Sequence, residues 1–144
     1  MGKKKVVQKL GDTNVEEKVK AQGAAAVSKK VENGTAYVNA SYNNTVITVT
    51  DSAGNVIAWS SAGTLGFSGP KKATPFAASK IVAALSEKMK KSGPFNINIV
   101  IKGVGSGRDS AVRTFAAQGF NILSIKDATP IPHNGPRPPK VRRV

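Results

Sequence analysis

Between Thr35 and Lys126 the apolar residues follow two different periods, and the places where the period changes divide the chain into elements. Ala36 to Ala40, Thr45 to Thr50 and Asn55 to Ser60 are short and rich in β-branched residues, which fits three strands. The turns Ser41-Tyr42-Asn43-Asn44 and Asp51-Ser52-Ala53-Gly54 separate them. Connections this short predict an antiparallel meander. A glycine-rich loop from Ser61 to Thr74 follows and contains Pro70, Lys71 and Lys72. The period then becomes helical. Thr74 stands as N-cap and Pro75 as first residue, with Phe76, Ala77, Ile81, Ala84, Leu85 and Met89 forming an apolar stripe. Ser92-Gly93-Pro94 ends that helix.

Phe95 to Lys102 alternates again, with Phe95, Ile97, Ile99 and Ile101 on one side and Asn96, Asn98 and Val100 on the other. A second helix is expected over about Asp109 to Gln118, turning Ala111, Val112, Phe115 and Ala116 inward. Gly119 caps it, and Asn121 to Lys126 makes a fifth strand. The order βββ–α–β–α–β predicts an α/β domain with a mixed five-stranded sheet and two crossover helices, right-handed by the usual rule, in two or three layers. Trp59 and Phe115 are expected in its core, whereas Tyr42, in a polar turn, is a candidate for stacking on a base.

The ends behave differently. Residues 1–34 mix Lys with Gly, Gln and Ala without sustained period and are expected to be disordered when free. Residues 128–144 hold five prolines, four bases, no acid and the chain's single histidine. Proline excludes a helix interior or a central strand, so this is expected to be an extended basic arm. The domain proper is therefore residues 35–127.

Charge then narrows the function. There are 22 Lys and Arg against 8 Asp and Glu, a net charge of +14. Such a field attracts a polyanion, and spaced bases on an arm can each meet a backbone phosphate. Nucleic acid is the expected partner, with a solvated basic tail as the plain alternative. The absence of Cys excludes a disulfide frame and a thiolate metal site. No apolar run is long enough to span a bilayer, and the N-terminus reads neither as a secretory signal nor as a myristoylation site. Neither a membrane nor a small-molecule substrate is expected, and the location expected is the cytoplasm.

The loop Lys102-Gly103-Val104-Gly105-Ser106-Gly107-Arg108 leaves a strand and enters a helix. Free N–H groups of Gly105 to Asp109 could converge on a phosphate there, with Arg108 as a planar donor. A dinucleotide fingerprint would need a third glycine where Arg108 stands, and the Walker pattern lacks its Gly-Lys-Ser/Thr. A nucleic-acid phosphate, a structural turn and a nucleotide remain as readings. A two-metal nuclease would need converging carboxylates, but the core acids Asp51, Glu87, Asp109 and Asp127 are not spaced as a cluster. Neither catalytic residues nor a metal or other cofactor are expected. A generic RNA chaperone or DNA-architectural protein would share the charge, but the repeated or aromatic-interleaved basic motifs it predicts are absent.

Several segments together resemble a known family: ASYNNT at 40–45, SAGTLGF at 61–67, ATPFAA at 73–78, GVGSGRDSA at 103–111, TPIPHNG at 129–135, RPPK at 137–140 and RRV at 142–144. They are similar to the universal small-subunit ribosomal protein family numbered eleven, in its bacterial form, from about Thr35 to Val144. The resemblance implies a ribonuclease-H-like fold on the platform of the small subunit, bound to its ribosomal RNA near the messenger path and beside neighbouring platform proteins. The expected RNA contacts are Tyr42, Asn43, Asn44, Lys71, Lys72, Gly105, Ser106, Gly107, Arg108, Arg113, His133, Asn134, Arg137, Lys140, Arg142 and Arg143. Two positions depart from the family pattern. Pro136 stands where Cys is common, and Lys71-Lys72 replaces a common Arg-Lys pair, which removes bidentate phosphate recognition at Lys71.

Overall fold

The computed structural model describes residues 31–90, 93–137 and 139–140. The expectations for residues 1–30, and for Arg142 and Arg143 at the end of the arm, lie outside the described residues. The strands are β1 (Asn33–Ala40), β2 (Thr45–Asp51), β3 (Val56–Ser61), β4 (Asn96–Lys102) and β5 (Asn121–Asp127), and the helices are α1 (Pro75–Met89) and α2 (Gly107–Ala117). Short 3₁₀ turns at Gly63–Leu65 and Gly69–Ala73 shape the long loop, which carried no periodic signal.

The sheet order is β3-β2-β1-β4-β5. The first three strands pair antiparallel as the short turns require, while β4 joins β1 and β5 joins β4 in parallel. This is the ribonuclease-H-like arrangement of a mixed sheet with two crossover helices. Alternation within each strand assigns the faces. Ala36, Val38, Ile47, Val49, Ile97, Ile99 and Ile101 turn to the helices and are buried. From α1 come Ala77, Ala78, Ile81, Val82, Leu85 and Met89, and from α2 Ala111 and Phe115, to close one core. Each large side chain fully buried there stabilises by roughly 1.5–3 kcal/mol. Both helices sit on the same face, so the domain has two layers.

Local signals explain the helix starts. The Thr74 hydroxyl accepts from the Ala77 N–H at 3.3 Å, and Pro75 occupies the first turn, where its missing N–H is harmless. The Ser110 hydroxyl donates to the Pro75 carbonyl at 2.8 Å, and Ser79 and Ser110 hydroxyls lie 2.7 Å apart, which pins the two N-termini together. Gly119, at φ 86°, turns the chain out of α2.

Five expectations change. Trp59 is 54 % exposed, because it lies on the sheet face that the helices leave open. Phe76, on the stripe of α1, is 61 % exposed: it stands in the first turn, where its ring meets Phe67 of the preceding loop edge-on at 6.1 Å with the Lys80 ammonium 5.4 Å from its centroid. Phe95 precedes β4 rather than joining it and is exposed, as is Ala116. Helix α2 begins at Gly107, two residues before the expected start.

Candidate nucleic-acid interface

The pairing registers bring most of the singled-out residues to one end of the sheet. Ala40 pairs with Thr45, Asn39 with Lys102, Val46 with Ser61, and Ile101 with Asp127. The turn after β1, the loop after β3, the glycine loop after β4 and the arm after β5 therefore all leave from the same edge. Both helix N-termini open there as well, since α1 follows the loop after β3 and α2 the loop after β4. An edge that gathers two positive helix ends, Lys71, Lys72 and Lys102 suits an anion. Of the acids nearby, Asp109 sits in the first turn of α2, and Asp127 is paired with Arg108.

Each loop is held by its own bonds. Ser41 N–H donates to the Asn44 carbonyl at 2.9 Å, and Thr45 N–H to Asn44 Oδ1 at 2.9 Å, so the turn presents Tyr42 outward, 72 % exposed. Asn43 is exposed beside it. Lys71 and Lys72 lie in the 3₁₀ turn Gly69–Ala73. The Ser106 hydroxyl donates to the Ala73 carbonyl at 2.7 Å, which joins the glycine loop to the lysine turn. Arg113 is exposed further along α2.

The glycines of the loop answer to the protein's own packing. A Cβ on Gly103 would lie 2.1 Å from the Ala40 carbonyl oxygen, and φ there is 100°. One on Gly105 would lie 2.4 Å from the Ser41 carbonyl oxygen, and one on Gly107 2.9 Å from Thr45 Oγ1 and 3.1 Å from Ala78 Cβ. Gly105 N–H donates to the Ala40 carbonyl at 2.8 Å. The close approach these residues permit is thus the approach of β1, β2 and α1. Arg108 also turns inward: it donates to the Gly103 carbonyl and the Asp127 carboxylate, and reaches the Thr129 hydroxyl at 3.3 Å.

These contacts form a latch at the root of the arm. Thr129 donates through its hydroxyl to Asp127 Oδ1 at 2.6 Å and through its N–H to the same oxygen at 2.9 Å. Gly103 N–H donates to the Thr129 hydroxyl at 3.2 Å. The Thr129 hydroxyl, followed by the Arg108 guanidinium, lowers the Asp127 carboxyl to about 2. Sequence reasoning missed the latch. Asp127-Ala128-Thr129 is a local turn signal, but nothing in the sequence ties it to Arg108, 19 residues earlier. Beyond it the arm bends rather than running straight. Asn134 takes a left-handed φ of 57°, tolerable for Asn, and a Cβ on Gly135 would lie 2.8 Å from Pro132 Cβ. His133, Asn134, Arg137 and Lys140 are all exposed.

Among the described residues no group of three or more His, Cys, Asp or Glu could hold a metal ion, and no helix is long and apolar enough to cross a membrane. The sequence matches the family model described as Ribosomal protein S11 over residues 34–143. It is also similar to the small ribosomal subunit protein uS11 of a Nitratiruptor species, at 56 % identity over 119 residues that cover 82 % of this chain and 92 % of that one. With a match across nearly the whole folded domain and arm, the chain belongs to the Ribosomal protein S11 family.

Proposed function

We infer that the chain is a structural constituent of the small ribosomal subunit and not an enzyme, working in the cytoplasm as part of the ribosome. The ribosomal RNA of the subunit is its principal partner, with neighbouring ribosomal proteins beside it. The observation that carries the finer reading is the convergence of three loops, two helix N-termini and the arm on one edge of the sheet. RNA is proposed to lie along that edge. Tyr42 offers a ring to an unstacked base, and Asn43 and Asn44 offer amides. Lys71, Lys72, Arg113, Arg137, Lys140, Arg142 and Arg143 neutralise phosphates, and Ser106, His133 and Asn134 supply polar contacts. Gly105, Gly107 and Arg108 act one step back, by shaping the edge and fixing the direction in which the arm leaves. Platform RNA near the messenger path, with the platform proteins around it, is the location this reading favours.

Footprinting of the full chain on small-subunit ribosomal RNA tests it. A discrete protected region, weakened by Lys71→Gln together with Lys72→Gln, is expected. Equal binding to any RNA duplex would favour a generic chaperone instead.

A further inference from the structure

The second face of the sheet, turned away from α1 and α2, carries no covering element among the described residues. The registers lay Trp59, Thr48, Tyr37, Val100 and Lys126 in one row across the five strands, and Asn39 and Lys102 in the next. Tyr37 is 46 % exposed and Trp59 more so. Their strands are separated only by β2, which sets the two backbones about 10 Å apart. A shallow groove runs beside Tyr37 over Thr48, Val46, Asn39, Val100 and Lys102. Toward the far end Asn121 donates to Asn96 and Asn96 to Asn33, at 2.9 and 3.0 Å, while Ser124 donates to Asn98 at 2.8 Å.

The chemistry of this face selects its occupant. Its charged residues are Lys102 and Lys126; none of the strand residues on it is acidic. A protein neighbour buried by the hydrophobic effect would want contiguous apolar surface, yet hydroxyl and amide side chains interrupt this one. Separated rings with lysines alongside suit nucleobases instead, because every base has a π-face and every linkage a phosphate. We propose that the open sheet face is a second RNA surface, which holds an unpaired strand with bases stacked on Tyr37 and Trp59 and phosphates at Lys102 and Lys126. The inference rests on the reading of the chain as an RNA-binding ribosomal constituent.

Trp59 is the only tryptophan in the chain, so its emission reports on this face alone. The full chain is titrated with a 5′-labelled, uridine-rich single-stranded RNA dodecamer, and anisotropy and tryptophan emission are followed together. Quenching of Trp59 that saturates with the anisotropy is expected. Tyr37→Leu and Trp59→Leu should each weaken binding about fivefold or more, Trp59→Phe should restore most of the loss, and Lys102→Gln with Lys126→Gln should lower the salt dependence. Since both rings are exposed, melting should confirm that all variants stay folded. Saturating anisotropy with unchanged emission and equal affinities would overturn the proposal, leave the RNA-binding reading standing and assign the face to a protein neighbour. No binding in either signal, to this RNA or to small-subunit ribosomal RNA, would overturn both.

Discussion

Replacing Gly107 by Ala separates a glycine kept for packing from one kept for a phosphate. The new methyl would lie 2.9 Å from Thr45 Oγ1 and 3.1 Å from Ala78 Cβ. Neither neighbour can retreat. Thr45 is fully buried on β2, paired with Ala40 on one side and accepting from Ala62 N–H on the other; Ala78 is fully buried in α1. The N-terminus of α2 must lift instead. Overpacking of this kind costs about 1–3 kcal/mol, against a small gain in helix propensity at the first position. A net loss of about 1–2 kcal/mol lowers the melting temperature of a domain this size by roughly 4–16 °C. Thermal unfolding of the full chain reads it. A double-mutant cycle with Thr45→Ala tests the cause: removing the obstructing hydroxyl should recover about 1 kcal/mol in the Gly107→Ala background. A Gly107→Ala protein that melts like the wild type but binds RNA more weakly would refute the packing explanation and return the loop to phosphate binding.

Three further outcomes are expected. Thr45 Oγ1 is buried with no hydrogen-bond partner among the described residues, so Thr45→Val should raise stability by about 1 kcal/mol in urea unfolding; a loss would mean the hydroxyl has a partner. Asp127 lies below its ordinary value of 3.8, at about 2, so the latch is fully formed above about pH 4 and is lost as pH falls through about 2. The ¹³C carboxyl shift of Asp127 should titrate there, and Arg108→Ala should move the midpoint up; a wild-type midpoint at the ordinary 3.8 would contradict the latch. Deleting residues 135–144 should leave melting nearly unchanged, because the latch at 127–129 stays, while RNA affinity falls and the salt slope shrinks by up to about four contacts; wild-type affinity and slope would deny the arm its role.

The elements were largely legible because each carries a local signal. Alternation placed Ile97, Ile99 and Ile101 on one face, and Thr74-Pro75 marked the start of α1 to the residue. What failed depended on layer count. Trp59 looked like a core residue by type, but only the tertiary fact that both helices choose one face exposes it. The candidate interface was legible as a set of residue types, yet its convergence on one edge follows from strand order, which no single segment encodes. The spacing of the glycine loop leaves a phosphate cradle, a structural turn and a nucleotide site open. The structure gives that spacing a structural cause, since Ala40, Ser41 and Thr45 fill the space that side chains would occupy, and those neighbours lie 62 to 64 residues earlier in the sequence.

Sedimentation of a tagged full-length copy tests the central claim most directly. Expressed in a bacterial cell and run on a gradient, it should travel with small subunits and with complete ribosomes, and leave them only at high salt as its phosphate contacts are screened. A tagged chain that stays at the top of the gradient while ribosomes assemble normally would contradict the assignment of this protein to the small subunit.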